Sequence, residues 1–467
     1  MNKNRLFLKY ILYDMLAALL VWIAFVIFRK TVNDIQIFDG ARIFIPNYDY
    51  FTSLIIFPFC CVFVHYLSGF YLNPIKKTRI NVILSTISSS AIISLSVFLV
   101  LKLGDAVVSY EYFYFSLFVL FGLLFCFTYL FRNVIFLQVQ HNFRTKKWTN
   151  NTLIIGTGDN AQKIADDLEK HAHQNTLIGF ISTNKKVGVN PENILGNMSQ
   201  ISYLIEKHEI HETIVVLDDD ADEQQLFKII NLLYKFNIDI QFTPRLYEIL
   251  IGSAKINQMG IIPLVSITHQ SMSDWEVSVK RFLDIIISLV SLTLLSPFLF
   301  YFIVKIKRDS NGPAFYRQER IGRYGRPFKI LKFRTMYQDS ENGTPKLSSA
   351  NDDRITQIGR TLRKYRIDEI PQFWNILKGD MSLVGPRPER RYYINHIIED
   401  APYYCLLYKI RPGLTSWGPI KIGYSDTVEK MIERLNYDII YMENMSLLTD
   451  IKILIYTIEI IFKGKGV

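Results

Sequence analysis

Cysteine is scarce in this sequence, with four residues in 467, and none of them shows the spacing of zinc ligands. The four are Cys60, Cys61, Cys126 and Cys405, and the first three lie in apolar segments. This pattern argues against a disulfide framework and favours a reducing compartment. Nucleic-acid-binding motifs are missing as well. We therefore expect the net charge of +10 to reflect binding of anionic headgroups and phosphates.

Long apolar runs, in contrast, are abundant, because 49% of the residues are hydrophobic. Four runs approach or exceed the roughly 20 residues that a helix needs to cross a bilayer. They are Tyr10–Phe28, Phe51–Leu72, Val82–Leu101 and Tyr112–Leu137. We therefore predict a four-helix transmembrane region over residues 1–140.

The distribution of lysine and arginine predicts how these helices are oriented. Basic residues occur at the N-terminus, between the second and third runs and after the fourth, whereas the loop between the third and fourth has none. The loop after the first run fits this pattern less well, since Arg29, Lys30 and Arg42 lie in or near it. Because cytoplasmic loops are rich in Lys and Arg, we expect both ends of the region in the cytoplasm.

Residues 150–245 predict a Rossmann-like α/β domain. A short apolar strand leads into a turn with Gly156, Gly158 and Ala161, which matches the G-x-G-x-x-A fingerprint of dinucleotide-binding folds. The acidic residue expected on the ribose about 20 residues later is missing, because residues 182–184 are Ser-Thr-Asn. We therefore favour a scaffold that need not bind a nucleotide.

An alternative hypothesis gives this domain a catalytic role. Membrane-bound NAD-dependent nucleotide-sugar dehydratases and epimerases also join four helices to a Rossmann unit, and they need a Tyr-x-x-x-Lys pair. Tyr203 and Lys207 have that spacing, but they follow Gly158 too closely for a full domain of that class. Chance is the better explanation of this pair.

A fifth apolar run lies within residues 280–308. Lys280 and Arg281 precede it and three more basic residues follow it, so both ends favour the cytoplasmic face. Ser296 and Pro297 interrupt the run. Proline removes a backbone donor and bends a helix, and a neighbouring serine can satisfy the freed carbonyl. We predict a re-entrant membrane helix instead of a span.

Charge is concentrated in residues 359–389. Asp368 and Glu369 are adjacent, and Pro386-Arg387-Pro388 closes the segment. Four cations precede the pair: Arg360, Arg363, Lys364 and Arg366. Pro371 is favoured in the first turn of a helix, so we place the pair near a helix N-terminus. Such surroundings suit a site that attracts a polyanion, binds a divalent metal and keeps a carboxylate ionised as a nucleophile.

Several motifs in order resemble the bacterial polyprenyl-phosphate sugar-1-phosphate transferases, the monotopic phosphoglycosyl transferases. They are the basic-flanked hairpin with Ser296-Pro297, then KFRTM, LRKYRIDEIPQFWNILKGDMSLVGPRP and IRPGLTSW. The resemblance runs from Lys280 nearly to the C-terminus. The four helices and the Rossmann-like unit more loosely resemble the N-terminal extension of the family's large members.

This resemblance implies an enzyme that starts assembly of a surface polysaccharide, such as exopolysaccharide, capsule or the O-antigen of lipopolysaccharide. Asp368 would attack the β-phosphate of a UDP-sugar, expel UMP and pass the sugar phosphate to polyprenyl (undecaprenyl) phosphate. Glu369 would bind Mg²⁺, and Arg363 and Arg387 would contact phosphate or nucleotide.

Further substrate-binding residues follow from the same resemblance. They are Lys332, Arg334, Pro386, Pro388, Arg411 and Lys421. Lys421 is included because the sequence departs from the family after Thr415, and Lys421 would supply the positive charge that this departure removes. Ser-Trp-Gly-Pro replaces the usual Gly-Trp-Ala-Gln, and Gly423 stands about where an arginine is expected. Sugar recognition at this loop is therefore not assigned.

The predicted fold class is a membrane protein of α plus α/β type. Its parts are the four-helix transmembrane bundle, the Rossmann-like domain, a linker over 246–279, the re-entrant helix and a cytoplasmic α/β catalytic domain over 309–467 that ends in an interfacial helix. We expect a multi-pass protein of the bacterial inner membrane. The expected partners are a UDP-sugar, polyprenyl phosphate, membrane lipid and a second copy of the chain through the N-terminal part, but no nucleic acid.

Overall fold

Two compact units make up the chain. The computed structural model describes residues 3–38, 48–75, 77–104, 110–171, 175–183, 188–216, 223–236, 238–243, 256–257, 264–266, 271–338, 352–423 and 427–462. The first unit comprises Met1–Trp148 with Ser273–Val279, and the second comprises Thr149–Met272 with Lys280–Val467.

Four apolar helices form the first unit. They are α1 (Lys3–Phe38), α2 (Tyr48–Leu67), α3 (Arg79–Gly104) and α4 (Tyr110–Arg144). The stretches Asn4–Thr31, Arg79–Val100 and Tyr114–Arg144 are long and apolar enough to cross a bilayer, whereas Phe51–Leu67 is shorter. The predicted second run reached Leu72, but the helix ends at Leu67. At Gly69, with φ of +76°, the backbone abuts the backbone of Asp274 so closely that a Cβ would lie 2.4 Å from it.

An ion pair lies in the interior of this helical unit. Asp14 on α1 and Arg132 on α4 are fully buried, and the Arg132 Nη2 donates to Asp14 Oδ2 at 2.7 Å. The Nη1 of Arg132 donates to Thr86 Oγ1 on α3 at 3.0 Å, and the Tyr71 hydroxyl donates to Asp14 Oδ2 at 2.9 Å. These bonds satisfy two charges that would be costly to bury alone.

A seven-stranded sheet begins the second unit. Its strands are β1 (Asn150–Ile155), β2 (Asn175–Ser182), β3 (Ile194–Asn197), β4 (Glu212–Val215), β5 (Asp239–Phe242), β6 (Ile256–Asn257) and β7 (Leu264–Ser266). The helices among them are α5 (Asp159–His171), α6 (Ile201–Lys207) and α7 (Glu223–Leu233). The order is β3-β2-β1-β4-β5-β7-β6, with β1 to β5 parallel and β6 and β7 antiparallel additions. The Rossmann-like prediction agrees with this topology, and the last two strands come from the predicted linker.

Other segments of the chain pack closely against the glycine-rich turn of this domain. A Cβ on Gly156 would lie 2.1 Å from the Val216 carbonyl oxygen, so the turn packs tightly against the next strand. A Cβ on Gly188 would lie 2.4 Å from Asp159 Oδ1, at the N-terminus of α5. That helix end is where dinucleotide-binding folds hold a pyrophosphate, and a carboxylate there is unfavourable to one. The position of Asp159 favours the scaffold interpretation, which stays a prediction.

A bent helix pair follows the sheet in the chain, and from Lys280 onward it belongs to the second unit. The helices α8 (Asp274–Leu294) and α9 (Ser296–Asp309) meet at an angle of 61°. At the bend, the Ser296 hydroxyl donates to the Thr293 carbonyl at 2.8 Å, which is the carbonyl that Pro297 leaves without its helical donor. The structure thus contains the local cause of the bend that the sequence predicted, a proline with a neighbouring serine that satisfies the freed carbonyl.

The part of the chain that follows this helix pair, called here the catalytic part after its predicted role, is a compact α/β fold. Its strands are β8 (Phe315–Ile321), β9 (Pro327–Phe333), β10 (Ser382–Val384) and β11 (Gly413–Thr415). Its helices are α10 (Gln357–Lys364), α11 (Phe373–Lys378), α12 (Arg391–Asp400), α13 (Trp417–Lys421), α14 (Val428–Glu443) and α15 (Leu447–Phe462), with 3₁₀ helices over Ile367–Gln372 and Pro402–Lys409. Strands β8 and β9 form an antiparallel hairpin, and β10 and β11 pair in parallel.

The bent helix pair is attached to this α/β fold by two basic residues within α8. The Lys280 Nζ donates to the Val384 carbonyl at 3.0 Å and pairs with Asp450 of α15. The Arg281 guanidinium donates to the carbonyls of Ile376 and Leu377 at 2.8 and 3.0 Å, at the end of α11. These residues, predicted as a membrane flank, therefore also dock the helix. The outer face of α15 stays apolar and exposed, as an interfacial helix requires.

The Rossmann-like domain shares a hydrophobic core with the catalytic part. Helix α7 faces the 3₁₀ helix Pro402–Lys409, where the Phe227 and Tyr403 rings meet edge to face with centroids 6.2 Å apart. The Asn231 side chain donates to the Pro402 carbonyl at 3.4 Å. The two domains of this unit therefore pack as one body.

Candidate active site

The predicted carboxylate pair lies on the 3₁₀ helix Ile367–Gln372. Arg366 precedes it in the left-handed conformation, with φ of +55°, and the Glu369 amide donates to the Arg366 carbonyl at 3.2 Å. This tight turn brings Asp368 and Glu369 under strand β9, so that they are only 9% and 7% exposed. The sequence placed the pair at the start of a helix, and the structure adds that the helix is 3₁₀. Gly379, with φ of +92°, ends the following α11.

Three cations surround the Glu369 carboxylate. Lys332 Nζ lies 2.8 Å from Oε1, Arg387 Nη1 lies 3.5 Å from Oε1, and Arg366 Nη1 lies 3.6 Å from Oε2. Burial disfavours the ionised form of Glu369, but these cations outweigh it and hold its pKa well below the usual value. The ionised form of Glu369 is therefore favoured at the centre of the cluster.

The pKa of Asp368 is shifted in the opposite direction. Burial raises the pKa of Asp368 above the ordinary value of 3.8, and the neighbouring Glu369 charge adds to this rise. Lys332, Arg363 and Arg366 oppose it without cancelling it. The two adjacent carboxylates thus have pKa values that are pushed apart, which is typical of pairs with different chemical roles.

Arg363 is held at the site by the packing of α10 on the end of β9. Its Nε donates to Thr335 Oγ1 at 2.9 Å. Helix α10 is capped by Thr356, and a Cβ on Gly359 would lie 2.1 Å from the Thr335 carbonyl oxygen. Glycine at this position is what allows the helix to approach so closely. The predicted location of Arg363 beside the pair is consistent with this geometry.

The Pro-Arg-Pro turn supplies the third side of the site through Arg387. The Pro386 carbonyl accepts from the Gly413 amide at 2.9 Å, and the Pro388 carbonyl accepts from Arg320 Nη1 at 3.2 Å. Both prolines therefore shape and anchor the turn through their carbonyls. The predicted substrate contacts of Pro386 and Pro388 stay predictions.

Two predicted substrate-binding arginines donate to backbone carbonyls at helix ends in the structure, and their substrate contacts stay predictions. The Arg334 guanidinium donates to the carbonyls of Ser310 and Asn311 at 2.7 and 2.8 Å, so it caps the end of α9. Arg411 Nε donates to the Gly379 carbonyl at 3.0 Å, so it ties β11 to the end of α11. Strand β9 brings Lys332 to the carboxylates but ends at Phe333, before Arg334.

Lys421 lies at the end of α13, and its Nζ is 5.5 Å from the centre of the Trp417 ring. Its predicted charge compensation at the altered loop stays a prediction.

Residues that the sequence did not single out also belong to the site. Arg366 was noted only as one of several upstream cations, and the supporting charges Arg320, Glu389 and Arg434 were missed. Their signal was weak, because isolated charges in a sequence usually mark a solvated surface.

Among the described residues, no cluster of three or more His, Cys, Asp or Glu side chains could hold a metal ion by itself. The adjacent carboxylates nevertheless fit Mg²⁺ in its usual role. This ion takes oxygen ligands and is commonly held by one or two carboxylates together with substrate phosphates. Glu369 would have to exchange its pair with Lys332 to act as that ligand.

Comparison with known proteins gives a consistent picture. Residues 275–464 match the family described as bacterial sugar transferase, and residues 67–244 match one described as CoA-binding domain. The chain is 41% identical over 181 residues to a UDP-glucose:undecaprenyl-phosphate glucose-1-phosphate transferase of Caulobacter vibrioides, covering 38% of this chain and 68% of that protein.

Two longer relatives extend the match. A UDP-N-acetylgalactosamine-undecaprenyl-phosphate N-acetylgalactosaminephosphotransferase of Aeromonas hydrophila is 35% identical over 49% of this chain and 54% of its own. A UDP-glucose:undecaprenyl-phosphate glucose-1-phosphate transferase of Escherichia coli is 32% identical over 58% of each chain. The matched part is thus little more than half of these relatives.

Proposed function

Because the chain belongs to the bacterial sugar transferase family, we propose that it transfers a sugar-1-phosphate from a UDP-sugar to polyprenyl phosphate. The observation that carries this proposal is the buried carboxylate pair among four cations, namely Lys332, Arg363, Arg366 and Arg387. Four positive and two negative side chains leave an excess of positive charge, which suits a diphosphate substrate.

The proposed mechanism has two steps on Asp368. A carboxylate oxygen attacks the β-phosphorus of the UDP-sugar, and the bond from that phosphorus to the bridging oxygen breaks. UMP leaves with the electron pair, and the sugar phosphate remains on Asp368 as an acyl phosphate. An oxygen of polyprenyl phosphate then attacks the same phosphorus, which releases the Asp368 carboxylate and forms polyprenyl-diphosphate-sugar.

The two carboxylates divide the work because their environments differ. Asp368 is the less charge-stabilised of the two, so it is the better nucleophile once ionised. Glu369 stays ionised, holds the cations in place and is the residue we propose for Mg²⁺. The metal would supply charge neutralisation at the diphosphate.

The apolar helices support a location at a membrane. We propose the bacterial inner membrane with the catalytic part in the cytoplasm, where nucleotide sugars are available. The bent pair α8 and α9 would enter and leave from that side, and α15 would lie on the surface. The carboxylates would then sit between a soluble donor and a lipid acceptor. The dehydratase alternative is not favoured, because Tyr203 is an exposed residue on a short surface helix.

The direct test is UMP release by the full-length protein. We expect UMP from at least one member of a panel of UDP-glucose, UDP-galactose, UDP-N-acetylglucosamine and UDP-N-acetylgalactosamine, given undecaprenyl phosphate and Mg²⁺. A matching organic-soluble labelled sugar product should appear. If no donor in this panel yields UMP, or if the protein instead converts the sugar with NAD, the proposed function is wrong.

The raised pKa of Asp368 predicts the pH dependence of the first step. The nucleophile must be ionised, so the burst of UMP measured without acceptor should fall as the pH drops through a value above 3.8. Glu369, whose pKa is lowered, stays ionised in this range and contributes no second limb. Leaving out polyprenyl phosphate removes the titration of the acceptor. An acidic limb at or below the ordinary value for aspartate would contradict this assignment.

A further inference from the structure

Helix α14 carries a row of buried polar side chains. Arg434, Asp438 and Tyr441 are 6%, 2% and 1% exposed, and their spacing of four and three residues puts them on one face of the helix. Buried charges are costly unless they are paired or hydrogen-bonded, so such a row calls for an explanation.

Two of these side chains, Arg434 and Asp438, are directed at the segment that carries the Pro-Arg-Pro turn, residues 384–389, called here the turn segment. Arg434 pairs with the Glu389 carboxylate through a short contact. The Tyr441 hydroxyl donates to Asp450 Oδ1 at 2.6 Å and lies 3.5 Å from the Val384 carbonyl oxygen. The Asp438 carboxylate is stabilised most by Arg434, then by the Ser416 side chain and by the backbone amides of Gly418 and Arg387.

The other side of the turn segment is held as well. Arg320 Nη1 lies 3.3 Å from Glu389 Oε2, and the Gly385 amide donates to the Thr415 carbonyl at 3.0 Å. Gly385 and Gly413 approach so closely that a Cβ on Gly413 would lie 2.1 Å from the Gly385 nitrogen. The backbone is therefore fixed on both sides, while the Arg387 side chain reaches Glu369 Oε1 at 3.5 Å and remains partly exposed.

We propose that Arg434 and Asp438 are positioning residues that act through the turn segment to hold Arg387 at the carboxylate pair. This inference rests on the proposed function for its catalytic consequence. Binding groups must be held within fractions of an ångström for phosphoryl transfer, and a displaced arginine loses most of its stabilisation of transition-state charge. Charged anchors fix the turn in one direction, which an apolar contact surface would not.

The first test measures the turn directly and needs no enzymatic activity. In the full-length protein, Asp438→Asn should speed hydrogen exchange of the Arg387 amide about tenfold, because a weaker acceptor replaces a charged one. The matched control is Glu433→Gln, an exposed position on the same helix, which should leave that exchange unchanged. Unchanged exchange in Asp438→Asn, with the same unfolding temperature as wild type, would overturn the proposal.

The second test separates positioning from general stabilisation through a double-mutant cycle. Asp438→Asn and Arg434→Met should each lower kcat by about 10- to 100-fold, with a smaller change in KM. In an Arg387→Ala background, the further loss from either change should be less than about threefold, since both act through Arg387.

Losses that multiply in the Arg387→Ala background would mean that the two residues act independently of Arg387, and the proposal would then be wrong. Should Arg434→Met fail to fold, the same-size Asp438→Asn decides the question. A wild type that releases no UMP contradicts the proposed function alone, because the exchange measurement still decides whether α14 holds the turn.

Discussion

Replacing Asp368 by asparagine should reduce UMP release by on the order of 10⁴-fold or more, as expected when the nucleophile of a covalent mechanism is removed. Asparagine has nearly the same shape, so the cations around Glu369 should keep their places. The difference is chemical, because a neutral amide does not form the acyl phosphate. UMP release and the kcat of the full reaction are the measurements.

A second readout identifies the covalent step itself. Wild-type protein incubated with a UDP-sugar labelled in the β-phosphate should retain label after denaturation, and Asp368→Asn should not. The exposed Asp353→Asn is the matched control, since it removes one carboxylate elsewhere on the catalytic part and should keep both label and activity. Activity of Asp368→Asn within tenfold of wild type would exclude Asp368 as the nucleophile.

Breaking the buried ion pair of the helical unit should have the largest effect on stability. Arg132→Met leaves the Asp14 carboxylate buried without its cation, and it also removes the donor to Thr86. The loss of one partner of a buried pair costs about 3–5 kcal/mol. We expect a corresponding fall in the free energy of unfolding, measured by denaturant titration in mixed micelles.

Two further variants show whether the pair itself is responsible. Arg144→Met removes an exposed arginine from the same helix and should change stability little. The double variant Asp14→Leu with Arg132→Met removes both charges, so it should recover a large part of the loss. If Arg132→Met is as stable as Arg144→Met, the ion pair does not hold the helices together.

Much of the fold follows from local patterns in the sequence. Run length predicted the positions of the apolar helices, and three of them are long and apolar enough to span. The end of α2 was predicted five residues too late, because the apolar composition continues to Leu72 while Gly69 turns the chain against Asp274. A close backbone approach of this kind depends on a distant residue, which hydropathy does not report.

Bends and ends of helices were predictable where one or two neighbouring residues cause them. The bend at Ser296-Pro297 and the helix end at Gly379 follow from backbone donors and from φ alone, and both are present. The parallel strands of the Rossmann-like domain likewise follow from alternating strand and helix patterns.

The sequence by itself determined which residues carry charge, and that Asp368 and Glu369 lie together next to cations. Only the tertiary structure decided which cations reach them. Lys332 arrives from β9 and Arg387 from the turn segment, while Arg334 and Arg411 are used to cap helix ends. The different pKa shifts of the two carboxylates were also beyond the sequence. Burial and the distance to each cation set them, and both depend on how far-apart segments pack.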